Sequence, residues 1–213
     1  MTPQELIREI ISLYHGARNP LYPHERLFRG ESRPIASQTE DLFARYLINR
    51  LPDDVVIYVN QTITTVSVNG RIRIKPDLTV TKGTSITAIL DLKMDLGYRR
   101  KEFPDFWRNS DQLIPSLRNK TFSMFVKTGS TRRRQELTFG GDARLFYVLV
   151  SSGNINAQLL SAVLQLRGTM QFSDLVVLTE GVHPNTYGLT IDETLERMTI
   201  NEDSFSFLET VLN

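Results

Sequence analysis

The segment RIRIKPDLTVTKGTSITAILDLKMD, residues 71–95, decides how the chain is read. Apolar and polar residues alternate on both sides of TKGTS, the pattern of two half-buried strands joined by a short turn. Side chains at i and i+2 leave a strand on the same face. Ile86, Ala88, Leu90, Leu92 and Met94 therefore share one face of the second run, and Thr87, Ile89, Asp91, Lys93 and Asp95 share the other. In the first run Ile72, Ile74, Pro76 and Leu78 share a face, and Arg71, Arg73, Lys75 and Asp77 share its opposite. A turn at 82–84 brings Asp77 and Asp91 to one face, with Lys93 about 7 Å from Asp91 along the strand.

Carboxylates so placed repel, and a divalent cation relieves the repulsion. Hard oxygen donors suit Mg²⁺, with Mn²⁺ as a substitute, and magnesium uses only a couple of carboxylates besides water and substrate phosphate oxygens. Lys93 can then assist an attacking water or neutralise charge that gathers on a phosphate. Phosphodiester hydrolysis is the reaction these parts suit. The alternatives are a salt-bridged polar sheet face for Asp91 and Lys93, and for Asp77 an edge position beside a proline that offers no N–H.

Pro76-Asp77 followed by Asp91-Leu92-Lys93 resembles the PD-(D/E)XK signature of the restriction-endonuclease-like nucleases. The resemblance implies an α/β/α sandwich on a mixed central sheet, with a three-stranded antiparallel meander followed by helix, strand, helix and strand. It implies a Mg²⁺-dependent nuclease acting on DNA, in restriction, defence or repair. Asp77 and Asp91 would be catalytic metal ligands, Lys93 would be catalytic, and Glu40 in the preceding helix would be a further metal ligand, direct or through water. The backbone carbonyl of Leu92 is another candidate ligand. A relative that has lost catalysis and serves as a nucleic-acid-binding or assembly module is the alternative. Glu40 has a second explanation, because SQTE at 37–40 is a capping box in which it would bond back to Ser37. On the helical wheel it shares a face with Phe43, Leu47 and Leu51, which turns it towards the sheet. Gln112 reads as a helix-surface residue, and Asp95 as a solvated carboxylate at a strand end.

Outward from this centre, TPQE opens a helix that runs to about Tyr14, and prolines and glycines make 16–35 an irregular connector. A second helix runs from Ser37 to Pro52. VVIYVNQTITTVSV reads as the first strand, and Asn69-Gly70 as the hairpin turn into the segment quoted above. FPDFWRNSDQLIPSL is expected to be a helix started at Pro104 and kinked or ended at Pro115. ARLFYVLVSS is a strand covered on both faces, NINAQLLSAVLQLR a helix, DLVVLT a short strand and EDSFSFLETVL a terminal helix. The chain reads as a single nuclease-like domain over 1–213: helix and connector at 1–36, core at 37–178, and a C-terminal extension at 179–213.

Composition narrows the chemistry. In 213 residues with 40% apolar content there is no cysteine, which excludes disulfides, thiolate zinc sites and cysteine nucleophiles. His15, His24 and His183 lack metal-binding spacing. The absence of a long apolar run or a signal-like N-terminus predicts no membrane association and a cytoplasmic address. A net charge of +1 says little, but its distribution places Arg99, Arg100 and Lys101 just past the aspartate strands, and Lys127, Arg132, Arg133 and Arg134 in a Gly/Ser/Thr-rich loop. Both clusters are candidate phosphate contacts for nucleic acid, expected to be double-stranded DNA, whose two-fold symmetry also accommodates a homodimer.

Overall fold

In the computed structural model, which describes residues 1–22, 24–67, 70–97, 101–128 and 130–213, Thr2 caps helix α1 (Pro3–Ala17). The Glu5 amide donates to Thr2 Oγ1 at 3.1 Å and the Thr2 amide donates to the Glu5 carboxylate at 2.7 Å, the reciprocal box expected from TPQE. The second expected box does not form. Helix α2 (Ala36–Ile48) begins one residue earlier than expected, with Ile35 as an N-cap that makes no side-chain bond, so Ser37 already lies inside the helix. Glu40 is thereby released from capping.

The long strands expected on either side of residues 68–70 each break in two. β1 (Val55–Val59) and β2 (Ile63–Ser67) flank a break at 60–62, and β3 (Gly70–Ile74) and β4 (Leu78–Lys82) flank another at 75–77. β1 pairs antiparallel with β4, and β2 with β3, so the two breaks face each other and bend one long hairpin. Pro76 has no N–H to give a ladder, Asn60 adopts φ 56, and the Asn60 amide donates to the Asp77 carbonyl at 2.7 Å across the bend. Asn69, half of the expected turn, lies outside the described residues.

The bend changes which faces are shared. Ile72 and Ile74 pack into one core cluster while Leu78 and Val80 are buried in the other, so the expected common face of Ile72, Ile74, Pro76 and Leu78 is not kept. β5 (Ser85–Lys93) returns along β4 through Gly83, at φ +57, and Thr84, with Lys82 opposite Ser85. A bulge at Thr87 puts Ile86 with Ile89 instead of with Ala88, a correction to the strict alternation. Beyond it Ala88, Leu90, Leu92 and Met94 face one core, as expected.

Helix α3 (Phe103–Leu117) carries Pro104 in its first turn and passes through Pro115 to Leu117. It is pinned by a buried carboxylate absent from the sequence reading. Asp111 accepts from the Phe172 amide at 2.8 Å and the Ser173 hydroxyl at 2.6 Å, and Ser173 Oγ accepts from Trp107 Nε1 at 2.8 Å.

The expected arginine-rich loop is a hairpin instead, formed by β6 (Thr121–Thr128) and β7 (Thr131–Leu149). Phe122, Met124 and Leu137 point into the core and hold these strands, although consecutive arginines disguise the alternation. β7 runs parallel to β5 after the α3 crossover. Its register jumps from Ile86–Phe139 to Ala88–Arg144, and a Cβ on Gly140 would stand 2.8 Å from the Ile86 carbonyl. Helix α4 (Ala157–Arg167) then returns the chain to β8 (Ser173–Val177), also parallel to β7.

The result is a mixed, mostly antiparallel eight-stranded sheet in the order β1-β4-β5-β7-β6-β2-β3, with β8 on the outer half of β7. The chain ends with β9 (Thr179–Gly181), α5 (Ile191–Glu196), β10 (Met198–Ile200) and α6 (Glu202–Leu212). Residues of α1, α2 and α6 fill the cluster on one face of the sheet, and residues of α3 and α4 fill the other. Among the described residues no helix is long and apolar enough to cross a membrane.

The C-terminal segment belongs to the core, since Phe205, Leu208 and Leu212 are buried with Tyr46 and Phe146. Phe205→Ala is expected to lower stability by about 3–5 kcal/mol in urea unfolding. An unchanged midpoint would show that α6 contributes nothing to that core.

Candidate active site

The last pair of the β4–β5 ladder is Leu78 with Leu90, so Asp77 and Asp91 stand opposite one another one step further on. Asp77 Oδ2 accepts the Leu92 amide at 2.7 Å, a bond available because β4 has ended and left that edge of β5 without a backbone partner. A strand residue's N–H and C=O point to the same side, so the Leu92 carbonyl also leaves on this edge. Asp91 is ion-paired with Lys93 Nζ two residues along the same face. Glu40, only 7% exposed, accepts from the Asn60 side-chain amide, and the Asn60 backbone holds Asp77. The bend thus ties three acids from α2, the β3–β4 connection and β5 into one neighbourhood.

The electrostatics show the strain of that gathering. Burial pushes the Asp77 carboxyl up to about 7, reinforced by the charge of Asp91 and a shared hydrogen bond with it; the Leu92 amide works in the opposite direction and Glu40 adds to the rise. Glu40 is also raised, chiefly by burial, against the lowering effect of its bond from Asn60. A cleft of about 150 Å³ lies against Asp91, Ser110 and Tyr147, and one of about 450 Å³ lies against Lys93, Phe103 and Phe106. Tyr147 was hidden in a continuous apolar run. Its hydroxyl is raised by burial above all, with Asp91 contributing.

Among the described residues, no group of three or more acidic or histidine side chains could hold a metal ion. The structure therefore does not bring Glu40 together with Asp77 and Asp91 as a three-acid cage. A pair of carboxylates with a backbone carbonyl still fits magnesium, which takes few protein ligands and keeps its water. The burial that raises Asp77, and the like charge of Asp91 that adds to it, are what such an ion would offset.

The remaining candidates separate. Asp95 is not a free carboxylate, because its oxygens lie 3.1 Å from Asn154 Nδ2 and 3.4 Å from His183 Nε2 and accept the Gly97 amide at 2.6 Å. His183 leads in holding it down to about 2. His183 Nδ1 accepts the Asn185 amide at 3.0 Å, so its proton sits on Nε2, towards Asp95; this histidine had no role in the sequence reading. Gln112 is exposed on α3, as expected. Lys101 is exposed just before α3, whereas Arg99 and Arg100 lie outside the described residues. Arg132, Arg133 and Arg134 are exposed on β7, not in a loop, and strand alternation sends Arg132 and Arg134 to one face and Arg133 to the other.

Family models, curated proteins and solved structures give no match to this chain.

The raised Asp77 has a signed consequence for stability. Its folded value of about 7 exceeds the ordinary 3.8, so between these values the native state holds more protons than the unfolded chain. Stability falls as pH rises through that window, and the deficit persists above it. Asp77→Asn should raise stability at pH 8 by about 1–2 kcal/mol, after allowance for partial solvent screening, with the gain vanishing near pH 4. Thermal unfolding across pH checks this, and a variant less stable than wild type at pH 8 would contradict it.

Proposed function

We propose that the chain is a Mg²⁺-dependent nuclease of the restriction-endonuclease-like type that hydrolyses DNA phosphodiester bonds. The observation that carries this reading is the opposition of Asp77 and Asp91 at a strand end, one of them driven to about 7, with Lys93 on the same face. The element order supports it: with β2, β3 and β6 set aside as additions, α2, the antiparallel β1-β4-β5 strands, α3, β7, α4 and β8 follow the sequence of elements that the PD-(D/E)XK resemblance implies.

Asp77, Asp91 and the Leu92 carbonyl would hold the ion, with Glu40 reaching it through water. A bound divalent cation supplies charge to shield the phosphate and acidify water. The protein's own groups do the positioning. The Leu92 amide fixes the orientation of Asp77, and Asn60 fixes Glu40. Lys93, ion-paired with Asp91, supplies an ammonium at the point where a phosphate would gain charge. The clefts beside Asp91 and Lys93 give a substrate access to that point.

A second reading rests on one observation. Asp77, Asp91 and Glu40 each already have a donor from the protein, and they do not form a group of three able to hold a metal. That arrangement suits a catalytically inactive chain of the same fold that binds nucleic acid or serves in assembly.

Incubation of plasmid and single-stranded DNA with Mg²⁺ or Mn²⁺ separates the readings. The nuclease reading expects cleavage that EDTA abolishes and that Asp91→Ala and Lys93→Ala each reduce by about 10²-fold or more. Cleavage unaffected by both substitutions would eliminate this site, and no cleavage with either ion would leave the inactive reading.

A further inference from the structure

The bent hairpin carries β2 and β3 away from the catalytic strands to join β6 and the first half of β7, making an arm of four antiparallel strands. Residues opposite one another in an antiparallel pair share a face. Arg73 faces Thr64, Arg71 faces Val66, Thr64 faces Ser123, Phe125 faces Arg134 and Lys127 faces Arg132. One face of the arm therefore presents Arg71, Arg73, Lys127, Arg132 and Arg134. The opposite face carries Ile63, Ile72, Phe122, Met124 and Leu137 into the core. Burial of the apolar set forces the cations outward together.

β2 and β6 pair at a single bridge, Thr64–Ser123. Cavities of about 650 Å³ and about 640 Å³ share these two residues in their linings. The first is lined by Arg71 and Arg73 from β3 and by Lys127 and Arg132 from the facing hairpin. It also reaches Asn60, whose side chain holds Glu40 and whose backbone holds Asp77. Asn60 is thus the residue shared by the basic cleft and the neighbourhood of the candidate site. Among the described residues, no carboxylate pairs with Arg71, Arg73, Lys127 or Arg132, while Arg134 is matched by Glu136 at 3.2 Å. Cations gathered without counter-charge are a footprint for a polyanion. Phe125, 46% exposed, lines the cleft with the Arg132 guanidinium 3.9 Å from its ring centre, an aromatic surface of the kind on which bases stack.

Phe125 selects the ligand. β2 and β6 lie between β3 and β7, and over them Arg71 and Arg73 line the first cavity together with Lys127, Arg132 and Phe125. An exposed aromatic ring beside such cations suits the bases of an unpaired strand, which a duplex keeps stacked on one another. We propose that the cleft between the β2–β3 and β6–β7 hairpins binds one strand of nucleic acid, gripped by Arg71 and Arg73 on one side and Lys127 and Arg132 on the other, and leads it to Asp77 and Asp91. This replaces the expected duplex partner with a single-stranded one. It rests on the nuclease reading for its purpose, and its test does not.

The test is fluorescence-anisotropy binding of a labelled thymidine oligonucleotide, and of a duplex of equal length, to the full chain in EDTA, over a range of salt. The single strand should bind at least tenfold tighter than the duplex. Arg71→Gln with Arg73→Gln, and separately Lys127→Gln with Arg132→Gln, should each weaken it at least tenfold. Each pair should also reduce the slope of log K against log salt by about 1.4. Phe125→Ala should weaken binding with the slope kept, and Arg8→Gln with Arg108→Gln, on other surfaces, should change neither. Equal unfolding temperatures exclude misfolding as the cause. Duplex binding as tight as single-strand binding, or affinity and slope unmoved by both cleft pairs, overturns the proposal. Cleft-dependent binding without cleavage in Mg²⁺ or Mn²⁺ sinks the nuclease reading alone, and cleavage with cleft-independent binding sinks the cleft alone.

Discussion

The interruption at Pro76–Asp77 is the constraint on which the rest depends. A proline in a paired strand removes a ladder hydrogen bond, and Asn60 on the partner strand answers with a left-handed backbone and a bond to the Asp77 carbonyl. Because β4 begins only at Leu78, the Leu92 amide has no strand partner and binds the Asp77 carboxylate instead. The same bend exchanges the buried face of the hairpin, sending Leu78 to one core and Ile74 to the other. It also projects β2 and β3 outward as half of the basic arm. Site and arm are two consequences of one break.

Gathering Glu40, Asp77 and Asp91 works against stability. Burial and like charge both favour the protonated form of Asp77, while Lys93 is paired with Asp91 and Lys75 acts on Glu40. Such a gathering of buried acids is costly in a sheet that has only a structural task, and it is the feature on which the proposed cation site rests. The Asp95–His183 contact makes an instructive contrast. There a carboxylate at the end of the same strand run is fully supplied with donors and its value is held down to about 2. Asp95 and Asp77 thus differ in kind, one held charged by its donors and the other pushed towards its protonated form.

Much of this was legible in the residues. The meander and its turn at Gly83, the strands around 145–149 and 173–177, and the opposition of Asp77 with Asp91 follow from apolar patterning and turn chemistry, though the parallel direction of the two later strands does not. Other features were not, for physical reasons. A bulge at Thr87 and a bend at 75–77 each shift the face of the residues beyond them, and periodicity alone does not register either. The β6–β7 hairpin was obscured because consecutive arginines mask the inward alternation of Met124 and Leu137, and the Gly-Ser-Thr stretch resembles a loop. The SQTE segment satisfies a capping pattern, yet the helix starts earlier, which frees Glu40 for Asn60. Asn60 itself carries no motif, and its importance comes only from the partner across the bend.

The central claim is that Asp77 and Asp91 would take a divalent cation in place of the proton that Asp77 holds. Calorimetric titration of Mn²⁺ into the protein at pH 6, repeated in buffers of different ionisation enthalpy, tests it most directly, because an ion binding there must displace the proton that Asp77 retains below about 7. The account predicts one ion bound per chain, with release of close to one proton that disappears in Asp77→Asn. Absence of binding, or binding with no proton release and no dependence on Asp77, would contradict it.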